Sequence, residues 1–177
     1  MKKMLSAAAL SAVLSLSAGA SYAAPSLDVG FSPEGTALKV VLKTIDDAQD
    51  SLRLMAYSFT SPEVVKSLIA AKKRGVDVRI VVDYKGNRSK ASQAAMNLIV
   101  NAGIPLRTNA QYPIMHDKVI ITDGRSVELG SFNYSRAAAE SNSENALAVR
   151  DVPALAQTYL AHWQSRWEGG QDWHSTY

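Results

Sequence analysis

The period of the apolar positions changes repeatedly along this chain, and each change marks an element. Lys2 and Lys3 precede a stretch, residues 5–16, that is apolar apart from serines, and small residues then lead to Ser21-Tyr22-Ala23. A charged start, an apolar core and a small-residue cleavage site make a secretory signal. Cleavage after Ala23 fits because Ser21 and Ala23 take the two positions that must be small; cleavage after Ala20, through Ala18 and Ala20, stays open. The apolar core is shorter than the roughly 20 residues of a spanning helix. The chain therefore reads as a signal peptide over residues 1–23 and one domain over residues 24–177, exported to the periplasm or the medium.

Within that domain, strand and helix patterns alternate. Residues 27–31 suit a short strand. Ser32-Pro33-Glu34 then offers a cap, a first helical position and a first-turn acid, followed by Leu38, Val41, Leu42 and Ile45 at helical spacing. Residues 51–58 suit a buried strand. Ser61-Pro62-Glu63 repeats the helix-start signal, Val64, Val65, Leu68 and Ile69 give the inner face, and Gly75 the stop. Residues 76–83 become continuously apolar, as a strand buried on both faces does. A third helix is expected over residues 89–101 and a short strand over 104–107. Residues 118–122 and 126–129 form a strand pair turning at Asp123-Gly124. Residues 146–150 make another strand, and Asp151-Val152-Pro153 opens a final helix carrying Leu155, Tyr159, Leu160, Trp163 and Trp167. Such alternation predicts an α/β fold, a central mixed β-sheet flanked by helices on both faces in an α-β-α sandwich.

Composition narrows the chemistry. The chain has no cysteine, so neither disulfides nor thiolates contribute. Its three histidines, His116, His162 and His174, are too few for a His-rich metal site, although carboxylates keep Mg²⁺ or Ca²⁺ formally open. The formal charge of +3 comes from 19 basic and 16 acidic side chains; without Lys2 and Lys3 it falls to +1. Charge alone thus gives no argument for nucleic-acid binding.

One segment carries chemistry. His116 and Lys118 are two residues apart at the head of an apolar strand, so they face the same way while Asp117 and Val119 face the other. An imidazole can attack phosphorus or pass a proton near neutral pH, and an ammonium suits phosphate oxygens. Asp123 ends the strand at the turn; a supporting role and a plain turn aspartate both fit it. In Gly130-Ser131-Phe132-Asn133, Ser131 and Asn133 are again two apart and can donate to phosphate oxygens, although the same residues also make an ordinary loop. Glu144 can orient an imidazole through its second nitrogen, or be a surface acid.

His-x-Lys-x4-Asp occurs by chance in roughly one chain in a hundred of this size. Here His116-x-Lys118-x4-Asp123-Gly124 is followed by Gly130-Ser131-x-Asn133 and Asn142-Ser143-Glu144. Together these resemble the signature of the phospholipase D superfamily. The upstream segments 56–60 and 74–80 resemble it as well, so the likeness spans nearly the whole mature chain, most closely that of small bacterial endonucleases. The resemblance implies a catalytic set of His116, Lys118, Asp123, Asn133 and Glu144, with Lys118, Ser131 and Asn133 on the substrate phosphate, and neither metal nor cofactor. Most superfamily members carry the motif twice, and their two histidines act on one phosphate. This chain carries it once, since neither His162 nor His174 has lysine two residues later. The resemblance therefore implies a homodimer with the site at the two-fold interface. Its substrate is expected to be nucleic acid, with a lipid headgroup or a purely phosphate-binding role as alternatives, and no stable membrane association after signal cleavage. Around the motif, Lys72-Lys73-Arg74 reads as a match to a helix dipole. Lys85, Arg88 and Lys90 read either as a backbone-holding loop or as solvated charge. Trp163 and Trp167 read as core or interface rather than base-stacking platforms, and His162 and His174 as structural or surface residues.

Overall fold

The structure, a computed structural model, describes residues 24–177, so the expected signal peptide lies outside the described residues. One eight-stranded sheet runs through the domain in the order β1-β7-β6-β5-β2-β3-β4-β8. Strands β2 (Ser51–Ala56), β3 (Asp77–Asp83) and β4 (Leu106–Asn109) are parallel. Around them, β1 (Ser26–Ser32), β5 (Lys118–Thr122), β6 (Ser126–Gly130), β7 (Glu144–Arg150) and β8 (Gly170–Asp172) pair antiparallel. Helices α1 (Thr36–Asp47), α2 (Pro62–Lys73) and α3 (Lys90–Asn101) cover one face, and α5 (Pro153–Glu168) covers the other. The expected α-β-α sandwich with a mixed sheet is the observed architecture.

Alternation along the central strands explains the two cores. Leu52, Leu54 and Ala56 of β2, with Val78, Ile80 and Val82 of β3, meet Val41, Ile45, Leu68 and Ile99 of the three-helix layer. The intervening Met55 and Val81, with Val119, Ile121 and Val127, meet Ala156 and Trp163 of α5. Trp163 is buried and donates its indole N–H to the carbonyl of Leu54 at 3.1 Å, and its ring stacks on Trp167 at 5.1 Å. Both tryptophans are structural, as their spacing predicts.

Local signals set most boundaries. Ser61 and Ser89 cap α2 and α3 by accepting from the backbone N–H of Val64 and Ser92. Gly75 ends α2 at φ 98°, and Asp123 and Gly124, both at positive φ, form the hairpin turn between β5 and β6. Lys72 and Lys73 sit in the last turn of α2, and the guanidinium of Arg74 donates to the carbonyls of Ile45, Asp46 and Ala48, closing α1.

Two local expectations are corrected. Ser32 does not cap α1: it stays paired in β1 opposite Glu144, and the helix starts after Gly35 in the left-handed region. The hydroxyl of Thr36 binds both backbone polar groups of Phe31, which turns the chain before the helix begins. The fourth strand begins at Leu106 rather than Ile104, because Ile104 still donates to the carbonyl of Ile99 at the end of α3. Two short elements were not expected, α4 (Arg136–Glu140) and the polar edge strand β8.

Glu128 of β6 faces the three-helix core at 1% exposure, and its hydrogen-bond partner is the hydroxyl of Tyr134, also buried, at 3.2 Å. Burial raises the Glu128 carboxyl from 4.5 to about 8, against the lowering effect of the Tyr134 bond. A carboxyl whose pKa is raised by folding favours the native state while protonated in both states, below about 4.5. That advantage is lost as pH rises through about 8. Glu128→Gln keeps the shape and removes the titration. In urea melts the variant is expected to gain on the wild type by a few kcal/mol, at roughly 1.4 kcal/mol per unit, between pH 5 and pH 8. A constant difference across that range would contradict the assignment.

Candidate active site

The site forms where the parallel and antiparallel halves of the sheet meet. Strand β5 pairs with β2 so that Lys118 lies opposite Ala56, and the backbone N–H of Tyr57 donates to the carbonyl of Asp117 at 2.8 Å. The segment entering β5 is held a second time: Met115 donates its N–H to the buried carboxylate of Asp83 at 2.8 Å. His116 is thereby presented at the carboxyl end of the parallel strands, where α/β sheets place ligands. Its ring packs against Tyr57 with centroids 4.7 Å apart, and the imidazole is exposed.

Lys118 is buried. Its ammonium donates to the carbonyl of His116 at 2.8 Å and stands 5.2 Å from the centre of the Tyr57 ring. Burial pulls its pKa below the ordinary lysine value, and Asp117 and Glu144 pull it back up. The loop after β6 completes a cleft of about 440 Å³ lined by His116, Lys118, Gly130, Ser131, Asn133 and Glu144. The amide oxygen of Asn133 is buried there with no hydrogen-bond partner. A buried acceptor left unpartnered among the described residues is suited to an arriving donor, and the amide nitrogen of the same side chain can donate.

Geometry sharpens several roles. The hydroxyl of Ser131 donates to Glu144 at 2.5 Å and accepts from the backbone N–H of Asn145 at 3.0 Å. In this arrangement Ser131 holds Glu144 rather than offering its proton to a phosphate. The second oxygen of Glu144 accepts from Asn142 at 2.9 Å, so Glu144 does not orient the imidazole of its own chain. Gly130 is required by the strand beside it: a Cβ there would lie 2.3 Å from the carbonyl oxygen of Asn145. Asp123 is not brought to the cleft. It sits at the other end of β5, roughly 17 Å away for five residues at ~3.4 Å each. Its carboxylate there accepts from the backbone N–H groups of Gln49, Asp50 and Ser51.

One contact escaped sequence reasoning. The Nε2 of His162 on α5 lies 3.0 Å from the carboxylate of Asp117, between the two motif residues. Nothing in the spacing of His162 signals this, because α5 reaches β5 only across the sheet. His174 is exposed near the C-terminus. A larger cavity of about 580 Å³ lies between α2 and α3, with Val65, Ile69, Ala95 and Leu98 in its wall, Lys66 and Lys73 beside them, and no histidine or carboxylate among the described residues that line it. Chemistry belongs to the smaller, polar cleft. Among the described residues, no group of three or more His, Cys, Asp or Glu is placed to hold a metal, and no helix is long and apolar enough to cross a membrane.

The family model described as Cardiolipin synthase, PLD-like domain, matches residues 41–167, which contain every lining residue of the cleft. The chain belongs to the phospholipase D superfamily. The crystal structure of a phospholipase D family member, Nuc from Salmonella typhimurium, is 57% identical with a TM-score of 0.85, covering 86% of this chain and all of that one. A phospholipase D of Rickettsia conorii is 35% identical over 136 residues, 77% of this chain and 66% of that protein. A mitochondrial cardiolipin hydrolase of Xenopus laevis is 31% identical over 121 residues, 68% of this chain and 56% of that protein. This chain thus spans slightly under two thirds of its curated phospholipase D relative, and 127 of its own residues, counted from the matched bounds, carry the superfamily domain.

The position of Asp123 separates structural support from chemistry. Asp123→Ala removes three charge-assisted bonds and places alanine at φ 54°. At ~1.5–3 kcal/mol per bond to a charged group, a loss of several kcal/mol is expected in denaturant unfolding. Protein still folded should keep its KM within about twofold; a KM rise of tenfold or more in folded protein would place Asp123 in the cleft.

Proposed function

We propose that this chain is an exported phosphodiesterase, most concretely a metal-independent endonuclease with little sequence preference that cuts DNA, and RNA by the same chemistry. The observation that carries the reading is the cleft itself. An exposed imidazole stands beside a buried ammonium and an unpartnered amide, in a polar opening wide enough for a phosphodiester backbone. Next to it, the loop after β3 presents exposed Lys85, Arg88 and Lys90. The secretory pattern over residues 1–23 supports export to the periplasm or medium.

In the proposed reaction a ring nitrogen of His116 attacks phosphorus. A P–N bond forms, the P–O bond to the leaving oxygen breaks, and that oxygen takes a proton from His116 of the partner subunit. Water then attacks phosphorus, giving its proton back to that second histidine, and the P–N bond breaks to restore the first. Lys118 and Asn133 stabilise the charge on the remaining phosphate oxygens. Glu144, held by Ser131 and Asn142, joins Asp117 at the rim in favouring the charged form of Lys118 against its burial.

One motif per chain calls for two chains per site, and the sheet offers a surface for the second. Leu27, Val29 and Phe31 of β1 are 66%, 55% and 52% exposed. They continue the row of Val149, Leu147 and Leu129 on the face that α5 leaves uncovered towards β1. Contiguous exposed apolar side chains of this kind fit an interface between copies. A second reading, hydrolysis of a phospholipid headgroup, draws support from the apolar cavity between α2 and α3 and from the names of the curated relatives.

His116→Ala is expected to abolish cleavage of plasmid DNA by several orders of magnitude with unchanged circular dichroism, and wild-type cleavage should survive EDTA. Loss on chelation with recovery on Mg²⁺ would contradict the mechanism. Faster hydrolysis of phosphatidylcholine vesicles than of DNA would select the lipid reading. Val29→Lys with Phe31→Lys should give a monomer in sedimentation and remove activity; a fully active monomer would refute the shared site.

A further inference from the structure

A second cleft opens at the same end of the sheet as His116. It measures about 400 Å³ and is lined by Tyr84, Thr108, Ala110, Gln111, Gly169 and Gln171. Register places it relative to the catalytic residues. Lys118 pairs with Ala56, Ala56 with Val82, and Val82 with Thr108. Thr108 therefore lies three strand spacings from Lys118, roughly 14 Å at ~4.8 Å each. Stacked nucleotides at ~3.4 Å each cover that distance in about four steps.

Its chemistry differs from that of the catalytic cleft. Among the described residues, no charged side chain lines it. Its wall is the 38%-exposed ring of Tyr84, and its polar groups are the amides of Gln111 and Gln171, each carrying both donors and an acceptor. An aromatic face with amides beside it is what a nucleobase uses: a stacking surface and partners for its hydrogen-bonding edge. The nearby carboxylates are already engaged, Asp172 with Arg107 at 2.7 Å and Glu168 with Gln164 at 2.7 Å. The approach from the catalytic site is cationic. Lys85, Arg88 and Lys90 are exposed and pair with no carboxylate among the described residues, and the Arg88 guanidinium lies 4.9 Å from the Tyr84 ring centre.

The connection between the two clefts is rigid. Asp83 is buried and binds both sides of it, accepting from Gly86 at 2.6 Å and from Met115 at 2.8 Å, next to His116. Asn87 accepts from the backbone N–H of Phe59 and donates to the carbonyls of Tyr57 and Asp83. Gly86 lies so close to Tyr57 that a Cβ would stand 2.9 Å from its ring. The basic loop and the tyrosine packed on His116 therefore form one unit.

We infer that the Tyr84–Gln111–Gln171 cleft is a subsite for one unpaired nucleobase, engaged when the substrate is single-stranded and its backbone crosses Lys85 and Arg88 on its way to His116. This rests on the endonuclease reading and adds to it a contact that favours single strands over duplex, since a base stacked within a duplex cannot enter a cleft of this kind.

The test compares two substrates on the full protein: a single-stranded oligonucleotide of about eight nucleotides, long enough to span ~14 Å, and bis(4-nitrophenyl) phosphate, which reaches only His116. Tyr84→Ala removes the stacking wall and Ala110→Trp fills the cleft from an exposed position. Stacking is worth about 1–3 kcal/mol per base. Each variant is therefore expected to raise KM for the oligonucleotide about tenfold, with kcat/KM for the small diester within twofold. Tyr84→Phe, which keeps the ring, should retain the wild-type KM. An oligonucleotide KM unchanged in both Tyr84→Ala and Ala110→Trp overturns the subsite and leaves the endonuclease reading standing. A wild-type protein that hydrolyses the small diester but no oligonucleotide overturns both.

Discussion

The antiparallel pairing of β5 with β2 is the constraint on which the rest depends. It joins the parallel strands to the antiparallel ones and decides which way Lys118 points. A slip of one residue would exchange the two faces of β5, sending Val119 and Ile121 to the three-helix core and Lys118 towards α5. The register is fixed at both ends. At one end Asp123 gathers the backbone N–H groups that precede β2, and at the other Tyr57 donates to Asp117. Asp123 thus serves the site from a distance, by holding the strand that carries it.

Burial of charge around this pairing explains the electrostatic character of the cleft. Lys118 is largely removed from water, which disfavours its charged form, and Asp117 and Glu144 oppose that loss. Asp117 in turn meets His162, so an α5 residue that lines neither cleft reaches the electrostatics of the motif. The arrangement is a buried cation balanced by carboxylates at its margin, with an unpartnered amide beside it. A buried cation is costly in the absence of a ligand and favours one that brings negative oxygens, while the amide oxygen calls for a donor.

The same sheet end unites features that are far apart in the chain. Residues after β2, β3, β4 and β6 and before β5 and β7 all reach one rim, because parallel strands end together and their antiparallel neighbours begin or turn there. The apolar row from β1 to β6 lies on the α5 face of the same sheet, beyond the reach of one 16-residue helix. In the proposed dimer, a second copy would answer both the single motif and the half-covered sheet.

Much of this was legible in the residues. Alternation and continuous apolar runs located the central strands and the helices α2, α3 and α5, because burial on one or both faces writes itself into the period. The motif located His116, Lys118, Ser131, Asn133 and Glu144, all of which line the cleft. Local chemistry misled where a stronger local bond intervened, as when the hydroxyl of Thr36 closed a turn and kept Ser32 in β1. Chain patterns carry periodicity and turn preference, so the sequence by itself determined the main elements, their order and the candidate reactive groups. Partnership between distant side chains leaves no such trace. Tertiary structure alone decided that Asp123 holds backbone rather than substrate, that Ser131 commits its proton to Glu144, that His162 meets Asp117, and that Tyr84 walls a cleft three strands from Lys118. Each depends on which strands lie side by side and in what register, a choice made by packing the whole sheet between its helices.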